Sequence, residues 1–507
     1  MQLIQYWKRL RQVSTPLVAI ETADQDALVR RIRDVEEAED FLCYEWDFVR
    51  GLRGSTPKAQ KAAAEVIPVP EDPDDPPPLT DPAEALIAAE RLPADSVLLY
   101  HNAHRFVQDA KITQALLNLK VENRANGRCV ALVCPEISLP PELSRDVIVV
   151  DDPLPTDEEL REIVSTLLKD NDLTTENGAV ERAAYSLRGL SQFPAEQIAA
   201  MSIEPNGDNE ATFDQEYLTE SMRKVVEQTE GLSFDRGGPT LDQVAGLSNL
   251  KEFGRRLLDG QESPLLIVRI DEVEKQLAGA TGDVQDTSGV SGDAFGQTLS
   301  FMEDHNASGL IMCSPPGCGK SLFSKSLGNS GGIPSISLDF GAFRNSLVGA
   351  SEARIRQGLK QILAIGGQRV FFVATCNKLR AMPPEFLRRF RCGIWYVDLP
   401  DEEENAALWD LYLAKYELEG GPAFDSKGWT GAEIRNVCEL AWKLKSTVDE
   451  CEKYIVPVCK SDPKGIEALR SKADGRWLSA NYAGTYDAQH RQKSARTGRK
   501  LAVGGTK

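Results

Sequence analysis

One motif constrains this chain more than any other stretch: Ser314-Pro-Pro-Gly-Cys-Gly-Lys320-Ser321. A triphosphate needs many hydrogen-bond donors in a small space. Glycines let the backbone curl so that successive N–H groups face phosphate oxygens, and a helix that follows adds its N-terminal dipole. The apolar run GLIMC before the motif reads as a buried strand, and SLFSKSL after it as a helix. That is the context a phosphate loop requires. Lys320 is expected to reach the β- and γ-phosphates of ATP and Ser321 to hold Mg²⁺, with Pro316, Gly317, Cys318, Gly319 and Leu322 completing the cradle. The usual pattern opens on glycine; serine at 314 can also turn. Cys318 sits near a helix N-terminus, where thiolate is favoured, which would make it a reactive handle that ATP shields; the competing reading is an inert, buried small residue.

A phosphate loop needs an acidic partner, and PLLIVRIDE supplies one. Asp271 ends a strand and is expected in the Mg²⁺ shell; Glu272 beside it is expected to polarise the attacking water. Arg269 points to the same strand face as Asp271 and, if buried, needs a carboxylate partner that the sequence does not name. Asn377 ends FFVATCN and can hold the water or γ-phosphate from a neighbouring strand; the competing reading is a turn-forming asparagine. Arg388, Arg389 and Arg391 lie in EFLRRFRCG. An arginine offered to another subunit's γ-phosphate would stabilise transition-state charge, whereas basic residues at a helix C-terminus can simply satisfy the dipole.

The rest of the 507 residues bounds the function class. A net charge of −19 repels nucleic-acid phosphate. Ten scattered cysteines with no CxxC pair suit free thiols in a reducing cytosol. MQLIQYWKRLRQ lacks the uninterrupted apolar core of a secretory signal, and no apolar run approaches the ~20 residues of a membrane span. The expectation is a cytoplasmic protein.

Strands and helices alternate twice, implying two parallel sheets. In the first half, PLVAIETAD reads as a strand entering a helix, SVLLYHNAHRF and CVALVCPE as strands flanking a helix near 110–121, and VIVVDDPLP as a further strand. No glycine-rich loop occurs there. A Pro/acidic stretch at 56–82 reads as a linker. Residues 156–235 read as helical, with Thr156 an N-cap. The second alternating unit is expected over 236–400, a helical lid over 401–480, and a basic, disordered tail over 481–507. Residues 1–155 form the first module.

Together these motifs resemble the AAA ATPase family, closest to its Ycf-type members of plastids and bacteria. The resemblance runs from near Asp95 to about Lys415 and is carried by VLLYHNAHRF, DQVAGLSNLKEFGRRL, GCGKSLFSKSL, SLVGASEARIRQ and FFVATCN. It implies an α/β fold, a P-loop sheet with a helical lid, preceded by a degenerate AAA-like module that lacks a phosphate loop. It makes Asp271 and Glu272 the Walker B pair, Asn377 sensor 1, Arg389 and Arg391 the fingers, and GWTGAEIRNVCELA the sensor-2 lid helix. SLVGASE would line the pore of a ring, with Leu347 at the usual aromatic position. A homo-oligomer, with a hexamer favoured, that couples ATP turnover to remodelling of an unidentified protein partner follows. A nucleotide-dependent assembly scaffold is the main alternative. A nucleic-acid motor has only the basic tail in its favour.

One departure is large. In the family, Walker A precedes Walker B; here Asp271 precedes Lys320. Family sheets run 5-1-4-3-2, and moving strand 3 ahead of strand 1 shifts each affected crossover by one neighbour, about 4.8 Å, in its original direction. The same site then assembles only if strand 370–375 lies between strands 265–270 and 309–313, all parallel, with helix 293–305 on the face opposite helix 320–328.

Overall fold

Short runs of β-branched and aliphatic residues build two large sheets, one in each compact unit. The units are residues 1–218 and 219–507. The computed structural model describes residues 2–63, 66–68, 77–206, 209–274, 290–342, 350–377 and 384–489. Among these, no helix is long and apolar enough to cross a membrane.

In the first unit β1 (Leu17–Glu21), β2 (Leu42–Asp47), β3 (Gly51–Gly54), β4 (Ser96–His101), β5 (Cys129–Cys134) and β6 (Ile148–Asp151) form one sheet in the order β3-β2-β4-β5-β1-β6. All pairs are parallel except β2–β3. Alternate residues of each strand face opposite sides. Leu98, Tyr100, Val130 and Leu132 meet residues of helices Pro82–Ala89 and Ala110–Asn126. Val97, Leu99, Ala131 and Val133 meet Trp7 and Ile32 from helices Gln2–Gln12 and Gln25–Ala38. Burial on both faces makes these strands continuous apolar runs. The β2–β3 hairpin escapes a sequence reading because LCYEWD carries acids; Glu45 is 8% exposed and bonds Arg53 at 2.7 Å.

Residues 64–65 and 69–76 of the expected linker at 56–82 lie outside the described residues, but its two ends are packed. Residues Pro57–Ala63 are helical and Ala59 is fully buried. The Leu79 carbonyl accepts a hydrogen bond from Trp46 Nε1 at 2.8 Å. Local composition argued against structure, but packing on β2 and β3 overrides it. Where a phosphate loop would follow β1, Asp24 instead caps helix Gln25–Ala38 and accepts the Phe193 N–H. Thr156 does cap helix Asp157–Asp170, in a reciprocal capping box with Glu159. Beyond it β7 (Ile203–Pro205) and β8 (Ala211–Phe213) form a small antiparallel pair.

The second unit holds β9 (Leu232–Phe234), β10 (Leu266–Ile270), β11 (Ser308–Cys313), β12 (Ser335–Leu338), β13 (Val370–Cys376), β14 (Ile394–Tyr396) and β15 (Leu478–Ser479), in the order β15-β14-β11-β13-β10-β12-β9. The strand β13 lies between β10 and β11, parallel to both, as the displaced acids require. The core order β14-β11-β13-β10-β12 is the 5-1-4-3-2 arrangement expected from the resemblance. Leu266, Val268 and Ile270 face Phe301 and Met302 of helix Val290–Asp304. Ile267 faces Phe323 and Leu327 of helix Lys320–Gly331. The two helices therefore cover opposite faces.

The lid carries helices Glu402–Lys415, Gly431–Leu444 and Pro463–Ala473, the first two around Trp409 and Trp429. The packed chain continues past the expected boundary at 480. Tyr486 is buried and donates to Asp398 Oδ2 at 2.8 Å. The basic residues from 490 onward and Leu347 lie outside the described residues.

Candidate nucleotide site

The C-terminal ends of β10, β11 and β13 open into a cleft of about 1110 Å³ between the sheet and the lid. Its floor is the loop after β11. Gly317 and Gly319 take positive φ values of 83° and 85°, which a side chain resists. A Cβ on Gly317 would also strike Thr430 Oγ1 of the lid, and the Ala432 N–H donates to the Gly317 carbonyl. Glycine there lets the loop curl directly beneath the helix Gly431–Leu444.

Lys320 is 8% exposed and folds along the loop. Its Nζ donates to Ser314 Oγ at 2.7 Å and to Asn377 Oδ1 at 2.9 Å, with longer bonds to the carbonyls of Ser314 and Pro315. The serine that stands where the pattern has glycine is thus a ligand of the loop lysine. It also donates to the Pro315 carbonyl.

Period-2 alternation puts Arg269 and Asp271 on the face of β10 that carries helix Lys320–Gly331. Ser321 Oγ donates to Asp271 Oδ1 at 3.0 Å. The Arg269 partner is Asp235, which accepts two bonds at 2.7 and 2.8 Å, while Asp271 Oδ2 accepts a third at 2.9 Å. This buried arginine holds the Asp271 carboxylate at the strand tip. Removing one member of such a group costs about 3–5 kcal/mol.

Thr375 is the residue that sequence reasoning missed. Its Oγ1 donates to Asp271 Oδ1 and accepts the Glu272 N–H, both at 3.0 Å. Glu272 sits at φ 51°, a left-handed conformation that non-glycine residues adopt at a cost. The bond from Thr375 fixes that turn. Once β13 is placed beside β10, the register Ile270↔Ala374 sets Thr375 across from Asp271. Asn377 Nδ2 then reaches Glu272 Oε1 at 3.4 Å, and the Asn377 N–H donates to Glu274. Arg435 of the lid also lines the cleft; its only signal was a place within GWTGAEIRN.

The two arginines and Cys318 stand apart from this network. Arg389 pairs with Glu303, and Arg391 donates to Asn306 at 2.6 Å. Neither lines this cleft, so the structure does not bring them to Lys320. Cys318 lines the cleft, where burial disfavours its thiolate. Burial pushes it up to about 12, against the opposing charge of Lys320, although the residue as a whole is only half-buried. A rise from an ordinary thiol of this size lowers the thiolate fraction about a thousandfold near neutral pH. We expect peptide-resolved iodoacetamide labelling at pH 7.5 to be far slower at Cys318 in the native protein than in urea. Equal rates would show that desolvation does not control this sulfur.

Comparison with known proteins agrees with this geometry. The family model described as SpoVK-like AAA ATPase, N-terminal domain, matches residues 7–151. That of the ATPase family associated with various cellular activities (AAA) matches residues 310–366. The second match starts within β11, so it contains the phosphate loop but not the acids displaced ahead of it. An uncharacterized AAA domain-containing protein, ycf46, of Guillardia theta is 20% identical, covering 95% of this chain and 96% of that protein. The ycf46 protein of Pyropia yezoensis is 22% identical, covering 92% and 96%. A proteasome-activating nucleotidase of Sulfurisphaera tokodaii is 33% identical over 112 residues, covering 20% of this chain and 29% of that protein. The ycf46 similarity spans both units and the two family models fall on one unit each, so the chain is similar to AAA ATPases along most of its length.

Proposed function

We propose that the protein hydrolyses ATP and couples turnover to remodelling of a protein partner in a ring-shaped homo-oligomer, a hexamer being favoured. The observation that carries the catalytic part is one continuous hydrogen-bonded chain at the phosphate end of the cleft: Ser321–Asp271–Thr375–Glu272–Asn377–Lys320. Phosphoryl transfer is mostly positioning and charge stabilisation, and these are the groups it needs. Lys320 bears on the β- and γ-phosphates. Glu272 accepts a proton from the attacking water, and Asn377 orients water or γ-phosphate. Pro316 to Leu322 cradle the phosphates.

The Ser321 hydroxyl and the Asp271 carboxylate fit Mg²⁺: both are hard oxygen donors, 3.0 Å apart beside the loop. The ion would neutralise charge on the phosphate oxygens. Arg269 and Asp235 keep Asp271 aimed there.

Arg389 and Arg391 lie away from the cleft of their own chain, which supports one of them acting on the ATP of an adjacent copy. Mixing an Arg389→Ala, Arg391→Ala double variant with Glu272→Gln protein should yield phosphate release above the sum of the two separate proteins. Interfaces that join an intact Glu272 to an intact arginine pair re-form in mixed rings. No recovery in mixtures verified as hetero-oligomers would remove the trans assignment.

An assembly scaffold with little turnover is the second reading. It is favoured by one feature, a first unit in which Asp24 and a helix cap stand where a phosphate loop would be. Steady-state phosphate release by the full chain separates the two, since sustained turnover is incompatible with a passive scaffold.

A further inference from the structure

Strand β10 carries one charged residue, Arg269, in an otherwise aliphatic run. The arginine is 4% exposed. A charge buried that far is tolerated only with partners, and its ion-pair partners are Asp235 and Asp271. Asp235 does not line the cleft. It follows β9, and its N–H donates to the Ser335 carbonyl at 2.9 Å, so the pairing of β9 with β12 sets where its carboxylate stands.

The two carboxylates do not share Arg269 equally. Nε and Nη2 form a fork onto Asp235, at 2.7 and 2.8 Å, while Asp271 takes one bond, from Nη1 to Oδ2 at 2.9 Å. A two-bond fork is the stronger mode. The Asp235 side chain is also more enclosed than that of Asp271, 12% against 31% exposed, so solvent screens its attraction to the guanidinium less. Lys325 approaches Asp235 only to 3.8 Å, from an exposed side chain, where an ion pair is weak. Asp235 therefore balances most of the Arg269 charge. The group of three keeps one net negative charge, on Asp271, whose Oδ1 faces Ser321.

We infer that Asp235 is a positioning residue for metal binding: by taking up the Arg269 charge, it leaves the Asp271 carboxylate negative enough to hold Mg²⁺ beside Ser321. This deepens the proposed reading of the site as one for ATP and Mg²⁺, and rests on it. Without Asp235, the buried guanidinium has Asp271 as its one remaining ion-pair partner among the described residues. A neutral Arg269–Asp271 pair then stands where a hard cation needs an anionic oxygen. A residue outside the cleft thus sets the metal affinity within it.

The test uses the full-length protein and a non-hydrolysable ATP analogue. Its dissociation constant is measured by calorimetry once with saturating Mg²⁺ and once with EDTA. The ratio of the two constants is the metal's contribution to nucleotide binding. In Asp235→Asn that ratio should fall at least about tenfold, through weaker binding in Mg²⁺. Adding Arg269→Met should return it to within a few-fold of wild type. No guanidinium then remains to neutralise Asp271, and Ser321 and Thr375 still hold its Oδ1. A purely structural Asp235 gives another pattern: a lower unfolding midpoint, an unchanged ratio in the folded protein, and no rescue by removing a second buried charge. An unchanged ratio in Asp235→Asn, or no recovery in the double variant, overturns the inference while nucleotide binding stands. Should Asp235→Asn fail to fold, Arg269→Met alone decides: its ratio should match or exceed that of wild type, and a fall overturns the inference. Failure of wild type to bind the analogue under either condition overturns the nucleotide reading itself, and this inference with it.

Discussion

Glu272→Gln should bind ATP within a few-fold of wild type and lose turnover by about 10²–10⁴-fold. General base catalysis contributes that range, and an amide preserves the shape of the carboxylate but cannot take the water's proton. The substitution should be structurally quiet. The left-handed turn at Glu272 is fixed by its backbone N–H to Thr375 Oγ1, a bond that glutamine keeps. The Asn377 Nδ2 contact at 3.4 Å runs to an oxygen, and the glutamine amide still offers one. Asp271 is held separately by Arg269, Ser321 and Thr375, so the metal side of the site does not depend on the residue changed. The measurement pairs calorimetric ATP affinity with single-turnover phosphate release. Wild-type rates in this variant would move the base elsewhere, with Glu274, next along and bonded to the Asn377 N–H, the first residue to examine.

The two sheets also explain how a transposed sequence retains its site. Read from β6, the first unit runs β6-β1-β5-β4-β2-β3. Read from β14, the second runs β14-β11-β13-β10-β12-β9. In both, the last strand is antiparallel to its neighbour. The positions match, yet the chain fills them in different sequence. The first unit enters β1 and then β2, β3 and β4. The second lays down β9 and β10, the counterparts of β3 and β4, before β11. A parallel sheet tolerates this because each strand contributes its C-terminal end to the same rim whatever the order of arrival. The first unit carries Glu21 and His101-Asn102 at the rim positions held by the phosphate loop and the acids in the second.

What the sequence made legible follows from the same physics. Strands buried on both faces announce themselves as apolar runs, so β4, β5, β10, β11 and β13 could be read directly, and the demand that one metal site form then fixed their order. The edges could not be read. A three-residue β9 and a two-residue β15 exist because β12 and β14 offer open edges, not because LSF or LS favours a strand. The Asp235 partner of Arg269 lies 34 residues away, at the end of that same edge strand, so its pairing appears only once β9 is in place. The Arg470 and Tyr486 bonds to Asp398 likewise bridge 72 and 88 residues. At Cys318 the helix N-terminus was legible in the sequence, but the burial that pushes the thiol up was not.

Lys320→Ala should instead abolish binding, with ATP affinity falling on the order of a hundredfold or more. Lys320 is the one cation within the phosphate loop itself, and its Nζ already lies among oxygen acceptors at the loop's centre. Charge-assisted bonds to phosphate are about twice as strong as neutral ones, and the low-dielectric surroundings of a buried group strengthen them further. The fold should survive. The Lys320 backbone opens the helix Lys320–Gly331, whose hold on the sheet comes from Phe323 and Leu327, and alanine is the best helix former. The acceptors released, Ser314 Oγ and Asn377 Oδ1, belong to residues that retain other bonds: Ser314 still donates to Pro315, and Asn377 still reaches Glu272 and Glu274. Lys320→Met separates charge from bulk, because methionine keeps an apolar stem of similar length without a cation. Both variants should unfold near the wild-type midpoint without nucleotide, and neither should gain the ATP-induced rise in midpoint expected of wild type. An ATP shift preserved in Lys320→Met would mean that loop backbone donors alone hold the phosphates, and the lysine would lose the role given to it here.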